Sequence, residues 1–382
     1  MNKKEVKKAP ALRFKGFTND WEQRKLGYEV NFYSGLTYHP DDIRNSGVFV
    51  IRSSNIKNNR LISADNVFVN PQIVNSKPVH INDIVVVVRN GSRKLIGKHV
   101  LIQHELHDTV IGAFMTGIRS SNNFFINATL DSQLFKKEIQ KNLGSTINQI
   151  TVKNFQNMVF GFPSKIEKDK IGKLFRIIDN IISLQQRKLK LLKLMKNIVS
   201  YNLVVSHKLA SNNEIKWKAV YLKDIARIYQ PTTITKKDLL PKGIPVFGAN
   251  DYIGFYNKYN HETDQVTICA RGASAGHPNY VKGPVWITGN SMVINVDETY
   301  INKKFLYTLL TFTDLKRFVT GGAQPQITRE NLNSLKILLP SIKAQNNLSA
   351  IIENLSINIR KVQLSINSAK RLKQFLLQNM FI

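Results

Sequence analysis

From Pro163 to Lys208 the chain has no further proline and a single glycine, Gly172, and its apolar residues recur every third or fourth position. Ile171, Leu174, Ile178, Ile181, Leu192, Met195 and Val199 follow that spacing, with Gln185 and Lys188 in the two slots where it turns polar. One apolar stripe sustained over several heptads predicts a long helix that pairs as a coiled coil. At the helical rise, roughly 40 residues make a rod of about 60 Å, which suits a connection between two domains better than the interior of one. The stretch from Pro340 supplies a partner. Leu348, Leu355, Val362, Ala369 and Leu376 recur every seventh residue, and Ile351, Ile352, Ile359, Ile366 and Leu372 fall between them. Asn358 and Ser365 sit beside that seam, where polar groups commonly set register at some cost in stability.

The two rods belong to a tandem duplication. WEQRKLGYEV, opening at Trp21, is matched by WKAVYLKDIA at Trp217, and NQITVKNF at 148–155 is matched by PQITRENL at 325–332. Pro163 and Pro340 close the repeat, the first copy being the longer. A fixed internal period decides architecture before any single element does. Within copy one, VFVIRSSNI (48–56), DIVVVVRNGS (83–92), HVLIQH (99–104) and FFINATL (124–130) read as strands. Copy two offers IPVFGAND (244–251), QVTICARGASAG (265–276) and PVWITGNSMVINV (284–296), then a helix near 302–318. Such β-branched runs, broken by Gly, Asn and Pro, predict an α+β core with long loops and a short helix before each rod.

Composition changes the picture mainly through charge. Lys and Arg total 55 against 26 Asp and Glu, a formal net charge of +29. That excess predicts a polyanionic partner, and no basic amphipathic segment faces an obvious lipid surface, so nucleic acid is expected. The first rod region alone, 165–208, carries 11 Lys or Arg against three acids. The longest apolar run, Ile84 to Val88, is too short to cross a bilayer, and no apolar stretch follows the basic MNKKEVKKAP, so no signal peptide is expected. With one cysteine, Cys269, the chain suits a reducing cytoplasm.

Catalytic patterns are near misses. GSRKLIGK (91–98) has five residues between its glycines and His after its lysine, against four and Ser or Thr in a phosphate loop. His104 and His107 stand three apart, not the four of a zinc protease, with no third ligand apparent. No glycine-rich dinucleotide fingerprint occurs, nor an Asn-Pro-Pro-aromatic methyltransferase signature. Binding signals are better. In both copies an apolar strand ends in arginine and a small-residue turn: Arg89, Asn90, Gly91 and Ser92 in one, Arg271, Gly272 and Ser274 in the other. Small residues let backbone approach a groove or phosphate, and arginine offers a fork that matches guanine or phosphate. The candidate DNA contacts are therefore Arg52, Asn55, Arg89, Ser92, Arg93, Lys94 and Lys98 in copy one. In copy two they are Asn250, Tyr252, Arg271, Ser274, Tyr280, Lys282 and Asn290. No catalytic or metal-binding residue is expected.

With its duplicated Gln-Ile-Thr landmarks and two Pro-led helices, the chain resembles the specificity subunit of type I restriction-modification systems. LRFKGFTNDWEQRKLG (12–27) is close to the usual opening of such subunits, and GASAG (272–276) followed by WITGN (286–290) looks like their target-recognition domains. The resemblance implies an α+β chain of two tandem target-recognition domains, joined and spaced by two long antiparallel helices in a coiled coil with a pseudo-twofold. The expected division is a basic leader (1–20), domain one (21–163), spacer helix one (164–208), domain two (217–340) and spacer helix two (341–382). It further implies a non-catalytic, cytoplasmic reader of a bipartite, asymmetric duplex site. Its partners would be double-stranded DNA, two methyltransferase (modification) subunits and two restriction/translocase subunits. S-adenosylmethionine, ATP and Mg would sit on those partners and none on this chain. The competing readings are a self-contained DNA methyltransferase or nuclease with degenerate motifs, and an RNA-binding or adaptor protein.

Overall fold

The computed structural model describes residues 9–143, 148–204 and 216–382. Residues 1–8 of the expected leader and 205–208 of the expected first rod lie outside the described residues. The chain divides into two units, Met1–Gln186 with Leu364–Ile382, and Arg187–Gln363. The division falls inside the long helices.

Both units use one frame. In the first, an antiparallel sheet runs Asn31–Ser34, Met115–Arg119, Ile84–Val87, His99–Leu101. In the second the same order runs Ala226–Tyr229, Ser291–Val296, Gln265–Cys269, Pro278–Val281. A smaller sheet places Val48–Ile51 between parallel Thr109–Ile111 and antiparallel Val67–Val69. Its counterpart places Ile244–Phe247 between parallel Trp286–Ile287 and antiparallel Tyr252–Tyr256. A two-stranded ribbon closes each unit, Glu22–Lys25 with Val159–Phe162, and Lys218–Tyr221 with Lys336–Leu339. The extra length of the first copy falls chiefly between Ile51 and Ile84, where the hairpin Ile56–Lys57 and Arg60–Leu61 is inserted.

The unbroken apolar run in each central strand has a packing cause. Ile84 and Val86 face one core while Val85 and Val87 face another, so both sides of the strand are covered. A strand buried on both faces loses the polar alternation of a half-exposed one. Continuous burial also explains where the sequence reading fails. FFINATL is part of a helix, Asn123–Asp131, with Phe125 through Leu130 all buried. A short run buried nearly all round carries no period, and its aromatic and β-branched residues imitate a strand. Its counterpart is the helix Lys303–Phe312. Trp21 meets Phe125 at 6.2 Å, and Trp217 meets Phe305 at 6.3 Å, so the two helices occupy equivalent places. The short helices expected before the rods are Val152–Asn157 and Arg329–Asn333, capped by Thr151 and Thr328. In each unit a ribbon strand, unforeseen, follows before the long helix.

The long helices are Lys165–Val204 and Ile342–Asn379. In the first unit Ile171, Phe175, Ile178 and Ile182 are buried with Leu376, Met380 and Phe381. Phe175 meets Phe381 and Asp179 meets Lys373, so the two segments run antiparallel there. In the second unit Val199 packs on a core that includes Leu348 and Ile352. Ile181 and Met195, expected in the seam, are about half exposed. The buried face is the one covered by both the partner helix and the adjoining sheet-and-helix core, so it is wider than a coiled-coil seam and rotated from it.

Candidate nucleic-acid interface

In each unit the central strand delivers an arginine to a platform made of three segments. Beyond Val87 the first strand continues through Val88, whose carbonyl accepts from the Ile150 amide at 2.9 Å, and Arg89 bridges to Gln149. Beyond Cys269 the second strand continues through Ala270, whose carbonyl accepts from the Ile327 amide at 3.0 Å, and Arg271 bridges to Gln326. Each residue of the duplicated Gln-Ile-Thr landmark thus has a separate task. Gln flanks the arginine, Ile150 or Ile327 is buried in the core, and Thr caps the next helix.

The third segment is a tight turn. Met115 donates to the Gly112 carbonyl at 2.9 Å, and Ser291 to the Thr288 carbonyl at 3.0 Å. Each turn is tied to the strand end through its tip residue: Val88 N donates to Phe114 O at 3.0 Å, and Ala270 N to Asn290 O at 2.9 Å. These bonds make Phe114 and Asn290 equivalent positions. In the first unit the turn presses on Gly35, where an added Cβ would lie 2.1 Å from the Gly112 carbonyl oxygen. We expect Gly35→Ala to destabilise the unit by about 1–3 kcal/mol, as overpacking against an unyielding neighbour does. A thermal unfolding scan of the full chain checks this. In the second unit Gly272, at φ +86, opens the turn that follows the arginine and has the left-handed backbone that glycine tolerates best.

Side chains of the first unit gather around Ser53. Asn90 Nδ2 donates to Ser53 Oγ at 3.0 Å and Lys98 Nζ to Ser53 O at 2.9 Å. Burial pushes the Lys98 ammonium below its ordinary range. The Arg89 guanidinium lies 4.9 Å over the Phe114 ring, which is 52% exposed. Arg52 donates to the Asp65 carbonyl, yet its Nε and the Ser54 hydroxyl are buried without a partner among the described residues. Arg52, Ser54, Asn90 and Phe114 line a cavity of about 660 Å³. Arg93 and Lys94 are exposed on the next turn, and Ser92 is held by Asn90 Oδ1 at 2.9 Å. Asn55 is fully buried, and its amide donates to Ala64 O and Asn66 Oδ1 while accepting from Arg52 N. It shapes the loop and does not face solvent.

In the second unit Arg271, Ser274 and Asn290 share the exposed platform. Asn250 accepts from Asn279 at 3.3 Å, and exposed Tyr252 packs its ring against Phe247 at 5.3 Å. Tyr280 and Lys282 are not brought to this place. Tyr280 pairs with Val266, at the other end of the strand from Arg271, and both side chains bind Asp264, at 2.9 and 2.7 Å. Burial, reinforced by Asp264, pushes the Tyr280 hydroxyl up. Sequence reasoning missed Phe114 and Asn90. An exposed aromatic in a turn carries no periodic signal, whereas Asn90 lay within the small-residue turn already singled out. His104 and His107 are exposed, and among the described residues no group of three or more His, Cys, Asp or Glu side chains could hold a metal.

The model of the type I restriction modification DNA specificity domain matches residues 18–194 and again 214–368, one match to each copy. The chain belongs to that family. Among its relatives is the specificity subunit of the type I restriction enzyme EcoprrI of Escherichia coli, 29% identical over 109 residues, 28% of this chain and 27% of that one. The StySPI specificity subunit of Salmonella potsdam is 22% identical over 394 residues, covering 91% of this chain and 85% of the relative. The curated relatives matched first are spanned over only 39% and 27% of their own lengths. The crystal structure of the S subunit of the type I system from M. genitalium shares the family fold, with a TM-score of 0.68 at 18% identity over 98% of this chain and 99% of that one. No described helix is long and apolar enough to cross a membrane.

Proposed function

We propose that the chain is the DNA-reading subunit of a type I restriction-modification system, each unit reading one half of a split, asymmetric duplex site. The observation that carries this reading is the repeated platform, one arginine, one turn tip and one Gln-Ile-Thr segment, built twice from the same hydrogen bonds but with different side chains. Two like frames with unlike surfaces suit a two-part, unsymmetrical site. The net charge of +29 supports a polyanionic ligand.

The chemistry belongs to partners in this reading. Two modification subunits use S-adenosylmethionine to methylate adenine, and two restriction subunits supply ATP- and Mg-dependent translocation and cleavage. A docking face is available within each unit. Ile177, Ile181 and Leu184 are exposed on the first long helix in one unit, and Leu191, Leu194, Met195 and Ile198 in the other. Their three-and-four spacing is a second apolar stripe, separate from the buried one, of the kind that receives a partner helix.

Replacing residues 21–160 by the equivalent block of a relative should change one half of the methylated site and leave the other intact. Mapping methylated adenines in a host that carries the exchanged gene reads this directly. Methylation at unchanged positions, or a change in both halves, would contradict the assignment of one half-site to each unit.

A further inference from the structure

The strand-end arginine is the same in both units, but the turn tip beside it is not. Phe114 and Asn290 occupy the same place in the two turns, by the hydrogen bonds that Val88 and Ala270 donate to their carbonyls. Phe114 lies beneath the Arg89 guanidinium, and both are exposed. Arg271 and Asn290 are likewise exposed, and neither side chain has a hydrogen-bond partner among the described residues. Each tip is held by backbone on a rigid sheet, so its side chain can vary without disturbing the frame. Loops placed by a rigid scaffold are where recognition residues concentrate.

We infer that the turn-tip residue, acting with the arginine beside it, sets the base each head prefers at one position of its half-site: thymine for Phe114 and adenine for Asn290. This rests on the DNA reading above and deepens it. In the major groove thymine alone presents a methyl group, and an apolar ring is a surface it can contact. Adenine presents N7 as acceptor and N6 as donor, which one amide can satisfy together. The ring under Arg89 has a second consequence. A guanidinium placed over an aromatic face is held there by cation–π attraction while its N–H groups stay available for the paired acceptors of guanine. The first head should therefore prefer guanine beside thymine. Arg271 lacks an aromatic support among the described residues, so its own base preference should be weaker than that of Arg89.

The test uses the full chain, a randomised duplex library and sequencing of the bound fraction. Wild-type protein that enriches no half-site would sink the DNA reading, and this inference with it. Given enrichment, Phe114→Asn should move one position of one half-site from thymine to adenine, with preference changing by about 5- to 150-fold, the range of one good base contact. Phe114→Leu keeps the apolar contact but removes the ring beneath Arg89. It should retain thymine and relax only the neighbouring guanine. Asn290→Ala should lose adenine at one position of the other half-site. Both tips are exposed, so all three variants should melt with the wild type. An unchanged half-site in the Phe114 or Asn290 variants, or an equal loss on every sequence, would overturn the assignment and make the turn tips backbone contacts.

Discussion

Lys373→Met should destabilise the first unit by about 3–5 kcal/mol, the usual result of removing one partner from a buried charge cluster. Lys373 Nζ lies 2.6 Å from both Asp131 and Asp179, and the lysine is 15% exposed. His99 Nε2 also lies 3.2 Å from Asp131 Oδ1. Burial alone would raise the Asp131 carboxyl, but His99 and Lys373 outweigh it and hold it well below its ordinary range. For Asp179 burial prevails and the carboxyl is raised, although Lys373 opposes the shift. Without the lysine, two neighbouring carboxylates would face a poorly solvated site with one counter-charge fewer, and both would bind protons more tightly.

The pH dependence follows from those directions. In the wild type, the depressed Asp131 contributes stability at neutral pH that is lost only as pH falls through its low folded value. Raised Asp179 works in the opposite sense, its contribution fading as pH rises through its folded value. Lys373 itself is raised despite burial, by the two carboxylates, so its contribution persists until strongly alkaline pH. In Lys373→Met both carboxyls shift upward, and the deficit against wild type should shrink as pH falls from neutral into the acid range. Urea titrations of both proteins across that range measure it, and a deficit that stays constant with pH would rule out charge as its cause. Hydrogen exchange should place the loss in strand His99–Leu101 and helix Asn123–Asp131.

Affinity for duplex DNA should fall by about 10³–10⁵-fold between 50 and 200 mM salt, as expected when roughly 6–10 phosphates are neutralised. The cations available for this are the ones the fold leaves free. Arg13, Arg119, Lys168, Lys303 and Lys373 are committed to internal ion pairs. Arg89, Lys94 and Arg271 are exposed and outside any such pair among the described residues. Lys94→Ala should weaken binding about equally on all sequences and reduce the slope of log K against log salt by about 0.9, the signature of a single phosphate contact. A binding isotherm series at several salt concentrations gives the slope. A nearly flat dependence would argue that the charge serves something other than duplex DNA.

The duplication, the two long helices, the β-rich blocks and the strand-end arginines were legible in the sequence because each is a local or repeated signal. Apolar periodicity reports an amphipathic helix wherever it is sustained, and the Gln-Ile-Thr landmark repeats because each of its residues has a separate structural task in both units. Charge balance is additive over the chain and independent of the fold, so a polyanionic partner could be expected from it alone. Other features depended on which surfaces meet. The C-terminal segment belongs to the first unit, where Phe381 packs among Trp21, Phe125 and Phe175, and the Ile382 carbonyl accepts from Gly161. No periodicity reports an association between chain positions so far apart. Helix Asn123–Asp131 looked like a strand because burial on all sides erases the period that would distinguish it. Ile181 and Met195 left the seam because the adjoining cores, together with the partner helix, decide which face of a long helix is covered. Above all, the pairing of Phe114 with Arg89 and of Asn290 with Arg271 arises from backbone hydrogen bonds between distant segments. Residue order could nominate the arginines, but only the packed sheet chose their neighbours.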